Sequence, residues 1–297
     1  MNDAHYTALT DRGILSVSGA DSLAFLQGIV TNDIEQVSPD CAIYAALLTP
    51  QGKYLHDFFV AKYRDGFLID CSVNQLEELT KRLKMYRLRA QVEIEDQTNN
   101  FTIISVTDAN TLRIMGLTAM PGNAVYYAEG IAFVDPRLAE LGVRTILPLA
   151  SAQEFTNTCD LSIQPLEIYK ALQHSLGVPD GSDGEMLKQT FPLEIGFEEL
   201  NAVSFDKGCY VGQEVTTRMK TRKLVKKRLI PVKFEGTSPE PGCAVLSKGK
   251  TAGQVFAVGE GNGLAMLRIE ALAAETELVA EETLLQATQP NWFQLPG

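Results

Sequence analysis

Phe205-Asp206-Lys207-Gly208-Cys209-Tyr210-Val211-Gly212-Gln213-Glu214-Val215-Thr216-Thr217-Arg218 is the stretch on which the reading of this chain turns. A cysteine stands between two glycines, with a lysine two residues before it and an arginine nine after. Gly208 and Gly212 permit tight turns and close approach of a ligand to the backbone. A neighbouring cation lowers the pKa of a thiol and raises its thiolate fraction. The residues alone leave two readings of Cys209: a soft nucleophile or ligand, or a small residue in a tight bend.

Charge is concentrated around this stretch. Lys207, Arg218, Lys220, Arg222, Lys223, Lys226, Lys227 and Arg228 face Glu214 alone, so the segment carries +7 while the whole chain carries −11, which leaves −18 for the rest. A second basic cluster falls at Lys81, Arg82, Lys84, Arg87 and Arg89. Positive charge gathered on an acidic body suits a specific anion better than a polymer surface, and two solvated faces are the plain alternative.

Upstream, Ile14–Val17 reads as a strand, and a helix starts near Ser22 and ends near Thr31-Asn32-Asp33. Ile43–Leu48, Leu55–Tyr63 and Phe67–Ser72 read as antiparallel strands, the last two joined by a hairpin at Arg64-Asp65-Gly66. Leu76, Leu79, Leu83 and Tyr86 mark an amphipathic helix. Further strands are expected at Gln91–Ile94, Phe101–Val106, Tyr126–Val134 and Val143–Pro148, and helices at Ser151–Cys159 and Pro165–Leu176. Gly177–Gly184 is a turn-rich loop. Beyond Arg228, short apolar runs at 8–12-residue spacing predict a small β-barrel or sandwich.

The 297 residues, 45% hydrophobic and 21% charged, fit two packed domains and exclude disorder, collagen and coiled coil. No run approaches the roughly 18 apolar residues of a membrane helix, and the first residues lack a signal-peptide pattern, so a cytoplasmic protein is expected. Cys41, Cys71, Cys159, Cys209 and Cys243 are odd in number and scattered, with no CxxC pair. No metal site is therefore expected from local ligands.

The run Lys207–Glu214, followed by Arg218, resembles the signature of the YgfZ-type folate-binding proteins. These are relatives of the glycine-cleavage T protein (aminomethyltransferase) that act in maturing iron–sulfur proteins. The likeness extends to Gly19-Ala20-Asp21, Phe25–Gly28, Thr31-Asn32-Asp33, Asp135-Pro136-Arg137, Leu141–Arg144, Gly177-Val178-Pro179, Pro192-Leu193-Glu194 and Gly263–Arg268. The loop form from Gly177 to Glu194 looks closest to the iron–sulfur cluster assembly factor branch.

The resemblance implies an α+β fold. An aminomethyltransferase-like, folate-binding body of two intertwined lobes would cover residues 1–222, and a small C-terminal β-barrel residues 223–297. It implies tetrahydrofolate as ligand, with Glu194 accepting a bidentate pair from the pterin edge. Arg218, Arg222 and the Lys81–Arg89 helix would meet the tail carboxylates, Tyr169 would pack on a ring, and Arg12 would reach the cavity. Gly208, Gly212, Gln213 and Glu214 complete the binding set. Cys209 is implied as the chemically active residue, partly exposed at the cavity mouth with Arg218 facing the same opening, and with Lys207 holding its thiolate. Asp57 keeps the place of one of two adjacent aspartates of the T protein, while His56 replaces the other. The implied function is support of iron–sulfur cluster assembly or repair in client enzymes, tRNA-modifying ones included. Folate and iron–sulfur client or assembly proteins are the implied partners, and a folate-dependent one-carbon transferase is the alternative. The overall acidity argues against direct tRNA binding.

Overall fold

Period-two runs of apolar residues become strands, and glycine, proline and Asp-Gly set their ends. The computed structural model describes residues 4–179, 181–183, 185–272 and 277–293. The chain opens with β1 (His5–Ala8), β2 (Arg12–Ser18), α1 (Ser22–Gln27), β3 (Ile43–Leu48), β4 (Tyr54–Tyr63) and β5 (Gly66–Ser72). It continues through α2 (Leu76–Arg87), β6 (Glu93–Asp96), β7 (Phe101–Val106), α3 (Ala109–Met115), β8 (Ala124–Tyr127), β9 (Gly130–Val134) and β10 (Val143–Pro148). Then come α4 (Leu149–Thr158), β11 (Ser162–Gln164), α5 (Leu166–Ser175) and α6 (Gln213–Thr221). The last elements are β12 (Lys227–Phe234), β13 (Ala244–Ser247), β14 (Lys250–Val258), β15 (Asn262–Arg268), α7 (Ile269–Leu272), β16 (Leu278–Ala280) and β17 (Thr283–Ala287).

Two compact units result. The first takes the chain to Leu48, Leu55–Ile168 and Asn201–Val211; the second takes Thr49–Tyr54, Tyr169–Leu200 and the chain from Gly212. The first unit contains a sheet of order β3-β4-β5-β2-β6 and another of order β11-β1-β7-β10-β9-β8. Helix α2 buries Leu76, Leu79 and Leu83 in one cluster with Leu15, Val17, Phe58, Val60 and Ile69. Each such side chain contributes about 1.5–3 kcal/mol on burial. The six-stranded sheet has its own cluster, in which Ile104, Val106, Val134 and Val143 meet Met115 and Phe155.

In the second unit β12-β15-β14-β13-β16-β17 close into a barrel around Ile230, Val232, Val245, Val255, Ala265 and Leu267. A β-carbon at Gly253 would stand 2.1 Å from the carbonyl oxygen of Met266, so this β14 position accepts only glycine.

The structure departs from the sequence expectations at several places. Helix α1 stops at Gln27, and Val30 instead bridges to Leu47. The single strand expected over Tyr126–Val134 is a hairpin, β8 to β9, turned by Ala128 and Glu129 at φ 47° and 61°. Those are positions where Asn-Gly normally signals the turn. Helices α3, α6 and α7 and strands β1, β11 and β17 are elements that the sequence reading did not expect. Of the turn-rich loop, Gly181–Asp183 forms a short 3-10 turn, while Asp180 and Gly184 lie outside the described residues. Among the described residues no helix is long and apolar enough to cross a membrane.

Candidate functional site

Cys209 is exposed, whereas Cys71 and Cys159 are buried and Cys41 and Cys243 half-buried. Burial pushes all four of those thiols up, Cys71 to about 12. The segment carrying Cys209 is pinned by its neighbour. The Lys207 ammonium donates to the carbonyls of Gln27 at 2.8 Å, Val30 at 2.8 Å and Asn32 at 2.7 Å, where the chain leaves α1. These bonds account for the three protons of the ammonium, so the expectation that Lys207 holds the Cys209 thiolate does not stand; the lysine positions the segment instead. Burial lowers its pKa to about 8, against the pull of Asp33 and Glu35. Gly212 has φ 84° and caps α6, so it needs glycine. At Gly208, by contrast, a β-carbon would meet nothing within 4 Å.

A second polar assembly is buried in the first unit. Asp70 on β5 accepts from Arg12 Nε at 2.6 Å and pairs with Arg144 Nε at 3.3 Å. Arg137 grips Asp135 with two hydrogen bonds, at 3.0 and 2.8 Å. The Arg12, Arg137 and Arg144 guanidiniums surround the Phe59 ring at 5.6, 4.8 and 4.2 Å. Asp57 accepts from the Tyr44 hydroxyl at 2.8 Å. Three cations and the three carboxylates of Asp57, Asp70 and Asp135 balance in formal charge, and Arg12 is paired with Asp70. Successive residues of a strand point to opposite faces. Accordingly His56 turns from Asp57 and meets Gln75 at 2.9 Å, ahead of α2. The two residues expected to stand for the paired aspartates do not share a site.

The second unit carries a cavity of about 1050 Å³ lined by Phe191, Glu194, Val215, Met219 and Leu224, with Arg218, Lys226, Lys227, Arg268 and Glu270 at its charged side, Glu270 pairing with Arg268 at 3.5 Å. Glu194 lies in the 3-10 turn Pro192–Ile195. Its Oε2 accepts from the Phe191 amide at 3.0 Å and pairs with Lys227 at 3.7 Å. Burial raises its pKa, with the Phe191 amide and Lys227 acting in opposition. A half-desolvated carboxylate beside apolar walls and several cations suits an amphipathic molecule with a donor edge and an anionic tail.

Glu194 and Arg218 therefore meet at one cavity. Arg222 does not line it; with Gln213, Glu214 and Arg218 it edges a shallow depression on α6. Glu214 pairs with Arg218 at 3.6 Å. Tyr169 is buried on α5 and is not among the cavity's lining residues. The +7 segment is also less bare than its sequence suggests. Lys220 pairs with Glu198 at 2.6 Å, Lys227 with Glu194, and Arg228 with Glu199 at 2.6 Å. Sequence reasoning missed Asp70 as the hub of the charged network and Phe191 and Arg268 as cavity walls. For Asp70 the signal was available: a carboxylate in the otherwise apolar run Gly66–Ser72 demands a buried partner. Among the described residues no group of three or more His, Cys, Asp or Glu could hold a metal ion.

Residues 5–133 match the N-terminal domain of the glycine-cleavage T protein, GCVT, and residues 226–295 match the CAF17 C-terminal β-barrel domain. The glycine cleavage system aminomethyltransferase T of Bartonella henselae superposes with a TM-score of 0.77 at 14% identity, over 96% of this chain and 84% of that one. The fold is thus aminomethyltransferase-like, an α+β body with a closed six-stranded C-terminal barrel, as the resemblance implied. Among curated relatives, the mitochondrial iron–sulfur cluster assembly factor IBA57 of Homo sapiens is 31% identical over 307 residues, covering 96% of this chain and 84% of its own length. That of Mus musculus is 30% identical with the same coverage, and the Pyricularia oryzae homolog 32% identical over 90% of this chain and 72% of its own.

The chain belongs to the IBA57 family of iron–sulfur cluster assembly factors. This is the assembly-factor branch to which the loop form from Gly177 to Glu194 pointed, a sibling of the YgfZ proteins and not YgfZ itself. The expected cytoplasmic location is corrected, since these relatives are mitochondrial factors.

Proposed function

We propose that this chain supports the assembly of iron–sulfur clusters in client proteins, binds tetrahydrofolate through Glu194 and Arg218, and presents Cys209 as its chemically active residue. The observation that carries the reading is a single exposed cysteine among five, on a segment anchored by a buried lysine, in a chain of this family. An accessible thiol can give its proton to solvent and bind iron as the thiolate while the Fe–S bond to another thiolate breaks and that leaving group takes up a proton. Tetrahydrofolate is the ligand that the resemblance implies, and when bound it supplies one-carbon and redox chemistry. Glu194 would accept from its pterin edge, and Arg218, Lys226 and Arg268 would face its carboxylates. The reading assigns the folate-binding body to residues 1–222 and the barrel to 223–297, the barrel contributing Lys227 and Arg268. The one-carbon-transferase alternative keeps Asp57 in place of one of the T protein's paired aspartates but has His56 in place of the other.

Two measurements test it. Cys209→Ser is expected to preserve the circular dichroism spectrum and tetrahydrofolate binding but to lose client maturation in cells lacking the native protein. Full support of client activity by that variant defeats the role of Cys209. Titration with tetrahydrofolate is expected to weaken at least about tenfold in Glu194→Ala, and unchanged affinity removes Glu194 from the site.

A further inference from the structure

The resemblance gave the cations of helix α2 to the tail carboxylates of folate, yet none of Lys81, Arg82, Lys84, Arg87 and Arg89 lines the cavity that holds Glu194 and Arg218, and the end of this helix carries a feature of its own. Leu76, Leu79 and Leu83 face the core, while Met85 on the outer side is 56% exposed and Leu88, just past the helix, is 86% exposed. Single exposed apolar residues need no explanation, but these come with two further observations. Leu88 sits at φ 46°, ψ −107°, a backbone state that residues with a β-carbon avoid and glycine adopts freely. The cations around it also differ from those one turn earlier. Lys81 pairs with Glu77 at 2.5 Å and Arg82 with Glu78 at 3.6 Å, so the first half of the helix neutralises itself. Among the described residues, the side chains of Lys84 and Arg89 enter no ion pair or hydrogen bond, and Arg87 donates only to the carbonyl of Val92.

We propose that Lys84, Met85, Arg87, Leu88 and Arg89 form a docking knob for an acidic helical segment of a partner protein, whose carboxylates meet the cations and whose apolar hollow takes Leu88. Charge complementarity selects this occupant: the knob is basic on a chain of net charge −11. A bilayer fits less well, because two apolar side chains insert little area and an anionic surface repels the acidic body. A second copy of the chain is opposed by the same net charge.

The test uses the full chain and a short fluorescein-labelled helical peptide with glutamates flanking a leucine stripe, read by anisotropy. Wild type is expected to bind it saturably, and less tightly as salt rises. Leu88→Gly, which relieves the backbone, is expected to unfold at or above the wild-type temperature yet to bind at least about tenfold more weakly. The double reversal Lys84→Glu with Arg89→Glu is expected to abolish binding. No binding by wild type, or equal binding by the variants, overturns the proposal. So does co-sedimentation with phosphatidylserine–phosphatidylcholine vesicles that Leu88→Gly removes, or a dimer in sedimentation equilibrium that Leu88→Gly dissociates.

Discussion

Lys207→Met removes an ammonium and keeps an unbranched stem of similar length, so its effect reports the carbonyl cradle and little else. Lys207 donates three hydrogen bonds of 2.7–2.8 Å. Each hydrogen bond to a charged group is worth about 1.5–3 kcal/mol. Against this stands the cost of burying the ammonium, which the fall from 10.5 to about 8 sets near 3 kcal/mol. The balance is a destabilisation of roughly 1.5–6 kcal/mol. It should appear in urea unfolding followed by far-ultraviolet circular dichroism at pH 7, where the amine is still largely protonated. Alkylation of Cys209 by iodoacetamide should change in the same variant, because the segment loses its tether. A stability change under about 1 kcal/mol, with Cys209 labelling as in wild type, would refute the view that Lys207 is an anchor.

Asp70→Asn keeps shape but deprives Arg12 and Arg144 of their shared charge in a fully buried place; a loss of about 3–5 kcal/mol is expected in urea unfolding, and near-neutrality would show the network to be dispensable. Limited treatment with a thiol reagent, read by peptide mass spectrometry, should modify Cys209 first. The rise of Cys71 from 9.0 to about 12 lowers its thiolate fraction about a thousandfold even before access is considered, and equal labelling of any other cysteine contradicts this order. Glu194 holds its proton more tightly in the fold than its ordinary 4.5, so its contribution to stability is full below that value and is lost as pH rises through the folded value. Glu194→Gln should therefore flatten the fall in melting temperature above about pH 4.5, and parallel wild-type and variant curves would exclude the effect.

Local patterns in the chain were enough for much of the architecture. The hairpin at Arg64-Asp65-Gly66, the strands Ile43–Leu48 and Phe101–Val106, the core face of α2 and the late β-barrel are written in turn residues and periodicity, which act between near neighbours. The Lys207–Glu214 run likewise pointed to a folate-protein relative active in iron–sulfur assembly. The separation of His56 from Asp57 was legible too, since both fall within a run read as a strand, and alternation alone puts them on opposite faces. What required the tertiary structure were pairings across long separations. Lys207 meets carbonyls 175 to 180 residues earlier in the chain. The cations from Lys220 to Arg228 find Glu194, Glu198 and Glu199 ahead of α6, so counting charge along the segment overstated its field. Sequence composition states which charges exist; only folding brings them within the few ångströms where Coulomb attraction and desolvation decide whether each is free for a ligand or consumed in holding the fold.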